Sequence, residues 1–210
     1  MKTNRISEYF DFLFPNPQCE LLYQKDYELL ISIVLSAQST DKRVNTVTPI
    51  LFTKYPSLEA LKTAKREDLE DIIRPVGSFR KKAQYVKEIA RIVVDECDGI
   101  VPQDREKLNT FPGVGRKTIN VFLSEFYHVP AIGVDTHVER VSKRLGLALE
   151  EDNVLVVEEK LMKTFPKKDW GKIHLQMVLF GRYYCKAMKP MCDTCLLRDI
   201  CKKEEKNDIN

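Results

Sequence analysis

Apolar residues recur three and four positions apart through almost the whole chain, and no run alternates as a half-buried strand requires. Ile6, Tyr9, Phe10 and Leu13 form a first stripe, which Pro15 and Pro17 stop. From Asp26 to Ala37 nearly every position is apolar, the pattern of a helix buried inside a bundle. Asp41 to Tyr55 keeps the helical period with Pro49 inside it, which predicts a kink or a break into two pieces. Ser57-Leu58-Glu59-Ala60 has a capping pattern, and Lys65 to Arg74 reads as a short helix ended by Pro75. Phe79 to Cys97 is long and amphipathic, with Ala83, Val86, Ile89, Ala90 and Val93 on one face. Helices follow near residues 117–127, 136–145, 153–164 and 170–184. The expected fold class is all-α, without tandem repeat or low-complexity linker.

Composition narrows the partners. A chain of 210 residues, 43% of them hydrophobic, can bury an ordinary core in one or two small domains. The net charge of +3 is mild, so binding to nucleic acid has to rely on local patches. The first residues, Met1 to Glu8, lack the apolar segment of a signal peptide. The longest apolar stretch, Leu29 to Leu35 interrupted by Ser32, is too short to span a bilayer. A cytoplasmic protein with no membrane partner is expected.

The stretch Phe111-Pro112-Gly113-Val114-Gly115-Arg116-Lys117-Thr118 carries the first candidate chemistry. Asp104 is placed to cap a short helix over Arg105 to Leu108, Pro112 to end it, and a second helix starts near Lys117. Both glycines are expected to take the positive φ of a tight hairpin. The amides opening the second helix then lack intrahelical partners and, with the helix dipole, form an anion site. A nucleotidase phosphate loop needs glycine directly before the lysine, where this chain has Arg116, and no strand leads in. That reading is rejected. A plain helix–turn–helix with a solvated lysine remains open for this stretch alone. Further on, Asp135 opens the segment Asp135-Thr136-His137-Val138, where a helix N-cap alone explains an aspartate.

Four of the six cysteines, Cys185, Cys192, Cys195 and Cys201, are clustered as C-x6-C-x2-C-x5-C. In a cytoplasmic chain they are metal ligands rather than disulfides, and their spacing alone leaves a zinc tetrathiolate and an iron–sulfur cluster equally open.

Taken together, Phe111 to Thr118, Val134-Asp135-Thr136-His137-Val138 and Leu35-Ser36-Ala37-Gln38-Ser39-Thr40-Asp41 resemble the helix–hairpin–helix DNA glycosylases, in their endonuclease III branch. The resemblance runs from about residue 20 to Cys201 and includes the cysteine spacing. It implies two lobes, a bundle over residues 22–131 ending in the hairpin (about 104–128), and a discontinuous lobe of residues 1–21 plus 132–210. It implies a [4Fe–4S] cluster on the loop 185–201, a monomer associated with the nucleoid, and double-stranded DNA with damaged pyrimidines or abasic sites as partner. The implied activity is a bifunctional glycosylase and AP lyase removing oxidised or ring-saturated pyrimidines.

Chemistry accounts for the lysine. A neutral amine at Lys117 can attack the sugar C1′, expel the base as a Schiff base forms, and allow β-elimination on the 3′ side. Holding a lysine neutral near pH 7 costs roughly 4 kcal/mol, and a helix N-terminus supplies only ~0.3–1 kcal/mol. Desolvation with Arg116 nearby, or Asp135 acting as base, has to do the rest. Asp135 can also stabilise the cationic sugar as the base departs.

The remaining site residues are contacts to DNA. By resemblance Gln38 fills the hole left by the flipped nucleotide and Asp41 lines the base pocket, each with a polar helix-end role as the alternative. The branch places a second wedge after Gly77, where this chain has Ser78, too small to wedge. Phe79 beside it either stacks between bases or anchors the helix it precedes. Gly113, Gly115 and Arg116 would meet the backbone, and Lys186 and Lys189 contact phosphate or are solvated. A relative specialised for an oxidised purine or a mismatched base is the second reading. A non-enzymatic DNA-binding module is the third, and it uses neither Lys117 with Asp135 nor the cysteines.

Overall fold

The structure, a computed structural model, describes residues 2–202. Eleven α-helices run through these residues: α1 (Lys2–Leu13), α2 (Asp26–Ser36), α3 (Asp41–Lys54), α4 (Leu58–Thr63), α5 (Arg66–Ile73), α6 (Phe79–Glu96), α7 (Arg105–Asn109), α8 (Arg116–Phe126), α9 (Thr136–Arg144), α10 (Val154–Thr164) and α11 (Trp170–Tyr183). Among the described residues there is no strand, and no helix is long and apolar enough to cross a membrane.

The starts follow local chemistry. Thr40, Ser57, Asp104, Asp135 and Asn153 each accept, through the side chain, an amide from the first turn of the helix they precede. Pro49 does not break α3, contrary to one of the two outcomes the sequence allowed. Val44, Val47, Thr48 and Leu51 are buried on both sides of it, and that packing holds the helix through the lost hydrogen bond. The helix before the hairpin ends at Asn109, three residues ahead of Pro112.

The chain separates into two compact units: Glu20–Tyr127, and the described residues up to Cys19 together with those from His128 onward. In the first, α2 is buried on every side except near its end, with Leu29, Leu30, Ile31 and Leu35 wholly enclosed. Asn45 ties the incoming chain to α3, accepting from the amide of Leu22 (3.0 Å) and donating to the carbonyl of Glu20 (2.7 Å). In the second, α1 packs on α11, where the rings of Phe10 and Phe180 lie 5.1 Å apart. Val138 and Val141 of α9 and Leu161 of α10 complete that core. Arg5 of α1 reaches the far end of the same unit, forming an ion pair with Asp199 (2.7 Å) and donating to the carbonyl of Leu196 (3.2 Å).

Candidate active site

The hairpin between α7 and α8 is seated within the first unit. Gly113 takes φ +77°, and a Cβ there would lie 2.6 Å from Tyr85 Cδ2 and 3.2 Å from Val34 Cγ1. Glycine is therefore required twice at this position, by conformation and by close approach. Arg105 Nη1 donates to Asn120 Oδ1 (2.7 Å), locking α7 to α8.

Gly115 departs from the expectation. Its φ is −109° with ψ −179°, an extended N-cap rather than a left-handed turn residue, and an added Cβ would meet nothing within 4 Å. The single left-handed turn at Gly113 already reverses the chain, so the second is not needed. Neither conformation nor packing inside the chain explains a glycine at 115. What it does is leave the opening amides of α8 without a side-chain cap, where Ser or Asp would cover them. Arg116 is exposed on the first residue of α8, and Lys117 is partly exposed on the second.

Asp135, in the second unit, is the N-cap of α9. Its Oδ1 accepts the amides of His137 and Val138, both at 2.8 Å. The cap occupies one carboxylate oxygen, and the other takes no part in it.

Two of the expected DNA-contact residues of the first unit, Gln38 and Ser78, lie on adjoining turns. Gln38 (φ +56°) follows α2, and Ser78 (φ +56°) precedes α6. Both are exposed and both are left-handed, which is uncommon for residues with a side chain. The amide of Gly77 donates to Ser39 Oγ (3.0 Å), joining the two turns. Asp41 is the first residue of α3. Phe79 opens α6 half-buried, with the guanidinium groups of Arg74 and Arg80 at 5.7 and 4.9 Å from its ring.

Cys185, Cys192, Cys195 and Cys201 line one pocket with Arg144, Phe180, Tyr184 and Met191. Burial pushes the Cys195 thiol up, and the three other thiols add to the shift. Four thiols in one pocket, with no carboxylate or imidazole in the lining, are a donor set for a soft cation. Arg144 donates to the sulfur of Cys185 (3.3 Å) and to the carbonyls of Lys186 (2.7 Å) and Ala187 (3.2 Å). Arg140 donates to the carbonyls of Gly181 (2.6 Å) and Cys185 (3.1 Å). Among the described residues no three His, Cys, Asp or Glu side chains stand in metal-ligand geometry. Lys186 and Lys189 are exposed on the loop between the first two cysteines.

Sequence reasoning missed Lys82, Tyr85, Arg140 and Arg144. One signal was available: Lys82 stands four residues before Val86 on the apolar face of α6, an odd place for an unpaired cation.

Residues 31–167 match the family model of the HhH-GPD superfamily base excision DNA repair protein. Endonuclease III of Bacillus subtilis is 45% identical over 93% of this chain and 90% of its own length. Endonuclease III of Escherichia coli is 40% identical over 93% and 92%. The chain belongs to the endonuclease III family. The structure of a trapped endonuclease III–DNA covalent intermediate superposes with a TM-score of 0.93 at 45% identity, covering 98% of each chain. A thermostable thymine-DNA glycosylase shares the fold at 23% identity, with a TM-score of 0.86. The protein is a base excision repair enzyme, a DNA glycosylase and AP lyase with an all-α helix–hairpin–helix fold.

Proposed function

We propose that Lys117 is the nucleophile and that the enzyme acts on oxidised or ring-saturated pyrimidines and abasic sites in double-stranded DNA, as a monomer. The observation that carries this reading is the pairing of an uncapped helix start at Gly115 with a lysine two residues later. The opening amides of α8 would hold a phosphate beside the damaged nucleotide, and Arg116 would add charge. The trapped covalent complex of the related endonuclease III supports a protein–DNA bond on the same fold.

In the reaction, neutral Lys117 Nζ attacks C1′ and the bond from C1′ to the base breaks, the base leaving with a proton. That proton comes from the attacking amine; the C1′–O4′ bond then breaks as C1′=N forms, O4′ takes a proton from solvent, and the Schiff base is left as its iminium. The iminium acidifies C2′; loss of that proton expels the 3′ phosphate, and water later frees the lysine. Asp135, through the oxygen outside its cap, would stabilise the positive sugar or receive the lysine proton. Gln38 would fill the vacated stack and Asp41 line the base pocket, with Ser78, Phe79, Gly113, Lys186 and Lys189 along the duplex.

The four cysteines would hold a [4Fe–4S] cluster, which supplies a covalent cross-link for a loop with little core of its own. Four thiols without a carboxylate or imidazole beside them in the lining support this over a hard cation. Arg144 and Arg140 would hold the first ligand's backbone in place. The purified protein should be yellow-brown with about four irons per chain; a colourless protein with one zinc would overturn the cluster.

Borohydride added during turnover tests the nucleophile. It should trap a protein–DNA adduct, and Lys117→Ala should remove the adduct while duplex binding survives. An adduct that persists in the variant assigns the chemistry to another amine.

A further inference from the structure

The end of α2 has no glycine to close it, and its last carbonyls are satisfied in other ways. Ile33 O accepts from Ser36 Oγ (2.7 Å), Val34 O from the amide of Ala37 (3.4 Å), and Ser36 O from the amide of Ser39 (3.0 Å). The two that remain, Leu35 O and Ala37 O, accept from the ammonium of Lys82, at 2.9 and 2.6 Å. A helix end usually satisfies such carbonyls through a left-handed glycine. Here a side chain from α6 reaches across, and the next residue, Gln38, takes the left-handed conformation instead.

Both choices are costly. Lys82 is 4% exposed, no ion pair among the described residues includes it, and burial pushes its ammonium below the ordinary lysine value. The negative end of the α2 dipole offsets part of that cost. A left-handed residue other than glycine is strained, because its Cβ crowds the following carbonyl oxygen. Glycine at 38 would remove the backbone cost and would also remove the side chain. The second turn is tied to the first: Ser39 Oγ receives the Gly77 amide, and a Cβ on Gly77 would lie 3.5 Å from the Gln38 carbonyl oxygen. Ser78, next in sequence, repeats the left-handed conformation. One buried cation thus underlies two strained, exposed tips.

We propose that Lys82 is a positioning residue for nucleotide flipping: by gripping the carbonyls of Leu35 and Ala37 it fixes the Gln38 turn, which Ser39 and Gly77 brace against the Ser78 turn, so that Gln38 enters the opened stack from one rigid element. This rests on the reading of Gln38 as the plug. Lys82 itself touches neither substrate nor reacting atoms. Its effect should appear only where the stack has to be opened.

The test compares single-turnover strand cleavage at one abasic site in two duplexes, one fully paired and one with unpaired neighbours forming a bubble. Lys82→Met, which keeps the stem and removes the donors, should slow the paired substrate by at least about tenfold and the bubble by less than about twofold. Gln38→Ala should show the same split, and the double variant should be no slower than the worse single by more than about twofold. If Gln38→Ala slows both substrates alike, or neither, the plug reading fails and the proposal falls with it. If Gln38→Ala splits the substrates but Lys82→Met does not, Lys82 serves the fold alone and only this proposal is overturned. Should Lys82→Met not fold, Lys82→Gln retains one donor. A preferential loss of at least about threefold on the paired duplex then supports the proposal, and an equal loss overturns it.

Discussion

Asp135 Oδ1 accepts the amide of Val138 at 2.8 Å, and the same oxygen also accepts that of His137. One oxygen thus opens α9 while its twin stands outside the cap, so structure and chemistry can be separated by substitution. Asparagine retains the capping oxygen and loses the charge. Asp135→Asn should therefore melt within a few degrees of the parent while base release in single turnover slows by about 10²–10³-fold. A lower melting temperature with an unchanged rate would reduce Asp135 to its cap.

Phe79 is expected to act as an anchor. Its half-buried ring carries Arg80 at 4.9 Å and Arg74 at 5.7 Å, contacts worth about 0.5–1 kcal/mol each at exposed sites. Phe79→Ala should lower the melting temperature by several degrees and depress activity equally on paired and single-stranded substrates. A stable variant that fails only on the paired duplex would instead make the ring a wedge.

The two hairpin glycines should respond in opposite ways to alanine. At Gly113 the positive φ and the 2.6 Å approach to Tyr85 oppose any side chain, so Gly113→Ala should destabilise by at least about 1–2 kcal/mol. At Gly115 nothing lies within 4 Å and φ is ordinary. Gly115→Ala should leave stability unchanged or raise it by about 0.4–1 kcal/mol, yet weaken duplex binding by crowding the phosphate site. Denaturant titration beside a binding isotherm reads both. A Gly115→Ala protein that binds as the parent does would remove the amides of α8 from the DNA interface.

Asp11 gives the second unit a pH dependence. Its carboxylate accepts from Lys172 (2.7 Å) and Gln176 (2.8 Å), and these bonds hold it below the ordinary carboxylate value. A depressed carboxylate stabilises fully above its unfolded value, near pH 4, and loses that contribution as pH falls through the lower folded value. The stability gap between the parent and Asp11→Ala should therefore be constant at neutral pH and narrow in acid. A gap independent of pH down to acid unfolding would show that the loss is one of packing.

The helices were legible because each buries one face, and a period of 3.6 survives in the order of residues. Pro49 misled in part: the sequence shows the missing donor but not the buried Val44, Val47 and Leu51 that hold the helix across it. The hairpin and the cap at Asp135 were legible because turn and cap chemistry are local. Gly115 was misread in its conformation because the left-handed turn at Gly113 alone reverses the chain. The short turns Cys192–Thr194 and Arg198–Ile200 are too brief to leave any period. Lys82 and Arg144 act on carbonyls distant in sequence, and a carbonyl carries no residue type to read.

The second unit draws on both ends of the chain, and this orders events during synthesis. Glu20–Tyr127 is continuous and can close on itself as soon as it has left the ribosome. Helix α1 emerges before it and must wait, because Phe180, Gln176 and Asp199 are made near the end. Helix α1 is translated before the continuous unit yet finds its partners after it, and its amphipathic stripe of Ile6, Tyr9 and Phe10 stays open to water meanwhile. A nascent chain stalled after Tyr127 should thus already protect the hairpin from protease while α1 remains cleavable.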